Sequence, residues 1–513
     1  MTESGRPLHV VHVTSELAPF AKVGGLGDMV AALAGEQARR GHDVTVVMPG
    51  YRDLRSPEGW SRRELDTARV PWGVGHEPAS FELLESADAG PRVLLVRHEG
   101  SRRFFDRPGV YDDPNVGHGY GDNAERFLFF CRAAFAGLER LGFAVDVLHA
   151  HDHQGGWVPC FARTHDAGSR LLERVTTVFT LHNMGYQGIY DAFVLGLAGF
   201  SRELFYPGSP FEFWGRVNFM KVGLVFADVL TTVSPRYARE IQSSPEFGAG
   251  LEGVLRRRSA DLHGILNGID ADVWNPATDR HLPAHYDASD LAGKAACRAA
   301  LAAEAGWNPD DASPVIGMVT RLTEQKGLDL LEQGAQLGLD LPARLVVQGS
   351  GEPRYEMFLH RLAEANPGRV YFRNAFDERF AHLVGAGADM FLMPSRYEPC
   401  GLNQMYSQRY GTPPVVRAVG GLADTVEEFE PIVGTGTGFR FEEYAPAEMV
   451  AALRRAISIH RQPELWTKLQ QNGMAKDFTW GRRAAQYEAL YERALARIAG
   501  GDVPSLEKVR SEG

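Results

Sequence analysis

The sequence predicts an α/β protein built from two doubly wound parallel sheets of similar size. Three observations carry this expectation. The segment LHVVHVTSE (8–16) is a β-rich run ending in a Gly-rich loop, MVAALAGEQARRGHDV (29–44) reads as a helix, and VTVVMPG (44–50) is a second apolar strand with a Pro-Gly stop. Strand, Gly loop, helix, strand is a βαβ unit, and such units build parallel sheets. The pattern recurs in VDVLHAHD (145–152), TTVFTLHN (176–183) and ADVLTTVSP (227–235), each a short apolar run with a polar end. A second set then follows in SPVIGMVTR (313–321), ARLVVQGSG (343–351), RVYFRNA (369–375) and ADMFLMPSR (388–396).

Helical stretches separate these runs around 292–305, 355–365 and 377–388. NGIDADVWNPATD (267–279) is rich in turn formers and places a boundary near 272–290. The expected division is therefore 1–272 and 273–480, with an amphipathic C-terminal helix over 481–500 and a disordered tail over 501–513. In open α/β sheets ligands bind beyond the carboxyl ends of the strands, so the polar strand ends are expected to line one rim.

Composition bounds the function. The 513 residues are 44% hydrophobic and 23% charged, with 54 Lys+Arg against 65 Asp+Glu and a net charge of −11. That excludes a disordered or collagen-like chain, and it argues against a nucleic-acid surface, since no excess positive field exists to neutralise phosphates. Four cysteines without a CxxC pair point to a reducing compartment. The N-terminus lacks the apolar run of a secretory signal, and no stretch reaches the roughly 18 apolar residues of a membrane span. The expectation is a soluble, cytoplasmic protein with no nucleic-acid or membrane partner.

Several positions look chemical. Lys22, Gly24, Gly25 and Asp28 lie between the first strand and the first helix, where backbone N–H groups and a lysine suit an anion. A packing turn explains the same residues, and the loop is neither a P-loop nor a clean G-x-G-x-x-G. The run His149–His153 offers metal-ligand types, but its spacing lacks a residue of the common His-x-His-x-Asp-His pattern, and no metal is expected. His182 and Asn183 end a strand beside a Gly-flexed loop, where a histidine can bond a substrate hydroxyl or act as acid or base. Arg321 and Lys326 can converge across a turn on a diphosphate, one as a fork and one as a point charge. Glu398 precedes a tight turn at Pro399–Gly401 that leads into a helix, and Cys400 has no histidine near it in sequence.

Taken together, KVGGLGD, HAHD, TLHNMGYQG, the NGID segment, RLTEQKG, RYEPCGLNQ and GGLADTV resemble, in the same order, the bacterial glycogen synthases and plant starch synthases. The likeness runs from about residue 8 to 495. It implies a retaining glucosyltransferase of GT-B architecture: two Rossmann-like domains facing across a cleft, an N-terminal acceptor domain, a C-terminal donor domain, and a last helix crossing back. The donor implied is ADP-glucose, a substrate rather than a cofactor, and the acceptor is the non-reducing end of an α-1,4-glucan such as glycogen. The resemblance implies catalytic roles for Glu398, His182, Arg321 and Lys326. It implies donor contacts from Lys22, Gly24, Gly25, Cys400, Gly401, Leu402 and Phe376, and sugar or acceptor contacts from Asp28, Asn183 and Asn267. Three positions depart from the family pattern, Val23 standing for the usual Thr and His153-Gln154 for Trp-His; Tyr406 breaks the Glu-x7-Glu spacing of other retaining transferases, as the synthase family itself does.

The resemblance further implies front-side substitution through an oxocarbenium-like state, with cations and backbone N–H groups stabilising the leaving diphosphate in place of a metal. Three other readings share parts of the sequence: a different nucleotide-sugar enzyme on the same fold, a non-catalytic glucan-binding relative, and a metal hydrolase built on His149–His153.

Overall fold

The computed structural model describes residues 6–55, 57–88, 90–114 and 117–500, and the tail 501–513 lies outside the described residues. Two units divide the chain. The first takes in residues up to Val233, Ala238–Ile265 and the chain from Trp480; the second takes in Ser234–Tyr237 and Leu266–Thr479.

In the first unit the apolar runs become strands with both faces covered, and two half-exposed strands join them at one edge of the sheet. Among the described residues these are β1 (His9–Val13), β2 (Asp43–Pro49), β3 (Ser61–Trp72), β4 (Gly75–Glu85), β5 (Arg92–His98), β6 (Val147–His151), β7 (Thr176–Leu181), β8 (Val229–Thr232) and β9 (Leu262–Gly264). They form one sheet in the order β9-β8-β7-β6-β1-β2-β5-β4-β3. Pairing is parallel from β9 to β5 and antiparallel through β4 and β3. The long β3–β4 hairpin is absent from the sequence reading: its exposed face is charged and its apolar residues alternate, so it carries no buried run. Helix α1 (Gly25–Arg39) buries Leu26, Met29, Val30, Leu33 and Ala34, the stripe that 3.6-residue periodicity puts on one face. Helix α2 (Asn123–Leu141) buries Phe127, Phe130, Ala134 and Leu138 likewise, and ends where Gly142 takes a left-handed conformation.

The C-terminal helix Trp480–Ala499 belongs to this first unit. Its Glu488 accepts two hydrogen bonds from Arg40, just after α1, at 2.5 and 2.7 Å. Its Tyr491 is fully buried against the same helix.

The second unit holds β10 (Val315–Val319), β11 (Arg344–Gln348), β12 (Val370–Arg373), β13 (Met390–Met393), β14 (Pro414–Arg417) and β15 (Phe439–Phe441). They pair in parallel in the order β12-β11-β10-β13-β14-β15. Counted within the unit this is 3-2-1-4-5-6, the order of dinucleotide-binding folds, whose ligands sit where the order reverses. Here the reversal lies between β10 and β13. In the first unit it lies between β1 and β6. One face of the second sheet is covered by a cluster that includes Leu331, Tyr355, Met449 and Leu453, the other by one that includes Cys297, Leu301, Phe380 and Val384. Helix α3 (Leu328–Leu339) follows β10, α4 (Glu378–Gly387) precedes β13, and α5 (Asn403–Arg409) and α6 (Gly420–Thr425) follow β13 and β14.

The turn-rich segment after Ile265 is pinned to this unit by aromatic stacking. Trp274 lies face to face with both His382 on α4 and Tyr406 on α5, each at 3.8 Å between ring centroids. Asp279 accepts from His382 Nδ1 at 2.7 Å and from the Tyr410 hydroxyl at 2.6 Å. No helix among the described residues is long and apolar enough to cross a membrane.

Candidate functional site

In the second unit the reversal point gathers Arg321, Lys326 and Glu398. Arg321 and the short turn Glu324–Lys326 follow β10, and Glu398 follows β13. Although 72 residues apart in sequence, Lys326 Nζ and Glu398 Oε2 lie 2.6 Å apart. The Ser395 hydroxyl donates to the same oxygen at 3.0 Å. Glu398 is buried, the lysine is mostly so, and Arg321 is exposed. A buried carboxylate held by one ammonium and one hydroxyl has a fixed orientation and a counter-charge.

Two glycines make this approach possible. Gly327 has φ +78°, and a Cβ there would come within 2.1 Å of the Pro394 carbonyl oxygen. Gly420, at φ +43°, would bring a Cβ to 1.9 Å from the Glu398 carbonyl oxygen. The α6 start therefore packs directly on the turn that carries Glu398, and the Gly421 N–H donates to the Glu398 carbonyl at 3.1 Å. Asn403, at the start of α5, donates to the Val319 carbonyl at 2.6 Å and ties the turn Cys400–Leu402 to the end of β10. Cys400 is buried, and Gly401 has φ +71°. Phe376 is 79% exposed on the loop after β12, a ring face open to a planar partner. Asn267 is buried, and its Oδ1 has no hydrogen-bond partner among the described residues.

In the first unit Lys22 and Asp28 form an ion pair of 2.7 Å across the Gly loop. The Val23 and Gly24 N–H groups both donate to Glu16 Oε2, at 2.6 and 2.8 Å. Glu16 is buried and accepts from the Tyr111 hydroxyl as well, at 2.6 Å. The Gly24 N–H is thus engaged within the chain, whereas Gly25 opens α1, where the first N–H groups of a helix lack intrahelical partners. Glu16 carries this loop and was not among the residues the sequence reading singles out; its position at the end of β1, immediately before a Gly loop, was the available signal.

His182 ends β7, beside Asp152 at the end of β6. Asp152 Oδ1 accepts from the His182 N–H at 2.7 Å. Burial pushes the Asp152 carboxyl up to about 7, against the pull of these backbone donors. Its φ of +51° is a left-handed conformation that side chains rarely adopt. Strain together with a raised carboxyl at a reversal point makes Asp152 a candidate site residue. Sequence reasoning treats it only as part of the His149–His153 run. Asn183 accepts from the Gly185 N–H at 2.9 Å and shapes the loop that follows.

The histidine run itself divides. His149 and His151 point to one side of β6 and stack at 4.3 Å, while His153 leaves the strand and bonds the Tyr186 carbonyl through Nδ1 at 2.9 Å. The third ring near His149 and His151 is His12 of β1, with ligand-type atoms of all three within 4.8 Å. Each of their ring nitrogens is already hydrogen-bonded within the chain: to Gln37, His151, His182, Tyr491 or Thr180 in the cases of His12, His151 and His149. Burial lowers the pKa of His12 to about 4 and that of His182 to about 3, and holds His149 and His151 well below the usual range, so all four rings are neutral.

Known proteins share this sequence and architecture. A family model described as "Starch synthase catalytic domain" matches residues 9–257, and one described as "Glycosyl transferases group 1" matches residues 302–475. A glycogen synthase of Anaeromyxobacter sp. (strain Fw109-5) is 49% identical over 95% of this chain and 100% of its own length. One of Myxococcus xanthus (strain DK1622) is 44% identical over the same shares. The catalytic domain of starch synthase IV from Arabidopsis thaliana, solved bound to ADP and acarbose, superposes with a TM-score of 0.86 at 34% identity, covering 96% of this chain and 100% of that one. Sucrose-phosphate synthase from Thermosynechococcus elongatus shares the fold at a TM-score of 0.59 and 18% identity, over 95% and 99% of the two chains.

Proposed function

Since the chain belongs to the glycogen and starch synthase family of glycosyltransferases, we propose that it transfers glucose from ADP-glucose to the non-reducing end of an α-1,4-glucan with retention, lengthening glycogen. The observation that carries this reading is the Lys326–Glu398 contact at the reversal point of the second sheet, with Arg321 beside it in sequence order. ADP in the Arabidopsis relative supports an adenine nucleotide donor, and its acarbose supports a glucan-like acceptor.

In the proposed reaction the bond from the anomeric carbon to the donor's diphosphate oxygen breaks while the acceptor hydroxyl bonds to the same face. The electron pair leaves on the diphosphate, which takes up the acceptor's proton. Arg321 and Lys326 stabilise the charge that develops there, and the backbone of Cys400, Gly401 and Leu402 adds N–H donors. Lys326 leaves Glu398 for the phosphate as charge builds, and Glu398 is then free to balance the positive character of the sugar ring. His182, neutral throughout, takes a sugar hydroxyl, and Phe376 stacks on the nucleobase. Lys22 and the α1 start at Gly25 bind donor phosphate; Asp28, Asn183 and Asn267 bind sugar.

The test is incubation of the full chain with glycogen and labelled ADP-glucose or UDP-glucose. The expected result is label in glucan from ADP-glucose, released by an enzyme specific for α-1,4 links. ADP release without labelled glucan, or preference for UDP-glucose, overturns the reading.

A further inference from the structure

Beneath His182 lies a chain of buried side chains that the proposed chemistry does not use. Gln37 of α1 sits at its root. Gln37 Nε2 donates to the Tyr491 hydroxyl of the C-terminal helix at 3.2 Å, and Gln37 Oε1 faces His12 Nε2 at 2.8 Å. His12 Nδ1 lies 3.0 Å from His151 Nε2, and His151 Nδ1 lies 3.2 Å from His182 Nε2. Gln37, His12 and His151 are buried to the point of no exposure.

Hydrogen-bond chemistry gives this chain a direction. A neutral imidazole has one N–H and one bare nitrogen. An amide oxygen only accepts, so His12 must carry its proton on Nε2 and present a bare Nδ1. That nitrogen needs a donor, which places the proton of His151 on Nε2. The same step repeats, so His182 is protonated on Nε2 and its Nδ1 is left as an acceptor. A second branch takes its direction from the same amide: the Tyr491 hydroxyl, receiving from Gln37, donates to His149 Nδ1 at 2.8 Å, and His149 Nε2 donates to the Thr180 hydroxyl at 2.5 Å. Burial keeps every ring neutral, which preserves the one-donor, one-acceptor rule along the line. Turning the Gln37 amide over would reverse each step and make His182 Nδ1 a donor.

We infer that Gln37 is a positioning residue that sets the tautomer of His182 three links away, so that His182 offers an acceptor to a donor-type hydroxyl of the substrate. The substrate half of this inference rests on the transferase reading above; the tautomer half does not.

The test is ring-nitrogen NMR of the ligand-free full chain labelled with 15N-histidine, run beside kinetics with ADP-glucose and glycogen. The expected spectrum has pyrrole-type Nε2 and pyridine-type Nδ1 at His12, His151 and His182. Gln37→Met, close in volume but unable to direct the chain, is expected to mix the tautomers of all three rings. It is expected to lower kcat on the order of tenfold with KM nearly unchanged, as an interaction made only in the transition state would. Gln37→Glu, which can only accept, is expected to keep the wild-type nitrogen pattern and most of kcat. A proton on Nδ1 of any of the three rings in the wild type overturns the inference. So does a Gln37→Met protein whose His182 stays wholly Nε2-protonated. If the tautomers are as stated but no glucose is transferred, the transferase reading falls and the relay stands.

Discussion

Lys326 and Glu398 illustrate how charge is managed at single residues. Each neutralises the other at 2.6 Å, so neither needs an outside ion while the site is empty. Replacing Lys326 by Ala removes a phosphate contact and strands a buried carboxylate. The expected outcome in steady-state assays is a fall in kcat/KM of about 10²–10³-fold, and a change under twofold overturns the clamp assignment. Asp152 makes a different prediction. With its folded pKa raised to about 7 from an ordinary 3.8, the folded state binds the extra proton, so its contribution to stability declines as pH rises from about 4 to 7 and is flat above that. Asp152→Asn is therefore expected to melt roughly 2–5 °C above wild type at pH 8 and level with it at pH 4. At this scale the sequence was only partly legible. Lys326 and Glu398 stand out by residue type and turn context, but Asp152 acquires its character from burial and Glu16 from a loop folding back on it. Asp152 has no linear signature, and Glu16 has only its place between a strand end and a Gly loop.

Elements were read more fully than residues. The short apolar runs of both units are strands, and the helical stretches near 292, 355, 377 and 481 are helices at nearly the expected limits. Among what escaped were the β3–β4 hairpin, whose strands are half exposed, the strands β5, β9, β14 and β15, and helix α2. The C-terminal helix shows why an element can be legible while its attachment is not: its amphipathic pattern is plain in sequence, but its contact with Arg40 is set by tertiary structure. Burial would raise the Glu488 carboxyl, yet hydrogen bonds from His42 and Arg40 prevail and hold it down at about 2. Its stabilising effect is thus complete above the ordinary 4.5 and is lost as pH falls toward 2. Glu488→Gln is expected to cost about 2–3 kcal/mol at pH 7, measured by urea unfolding. That difference should shrink steadily below pH 4.5.

For the whole molecule, a net charge of −11 says little about the ligand it is built to take. Two cations proposed for the donor, Lys22 and Lys326, are each paired with an acid of their own unit. Donor binding therefore exchanges one counter-charge for another instead of filling a bare positive pocket. The KM for ADP-glucose is expected to rise several-fold between 50 and 500 mM salt, since the contacts are partly screened; a salt-independent KM would count against ionic recognition of the diphosphate. The two-unit α/β plan followed from strand–helix alternation alone, because alternation is written locally. The reversal points were not, because strand order depends on which strand each helix returns to.

Trp274 has a further use. Its indole is sandwiched between an imidazole and a phenol, and the phenol is carried by α5, the helix that begins beside the Cys400–Leu402 turn. Of the eight tryptophans in the chain, it is thereby placed as an intrinsic optical probe. The difference in emission between wild type and Trp274→Phe isolates its signal, and titrating ADP against that difference would follow the helix behind the turn without any added dye.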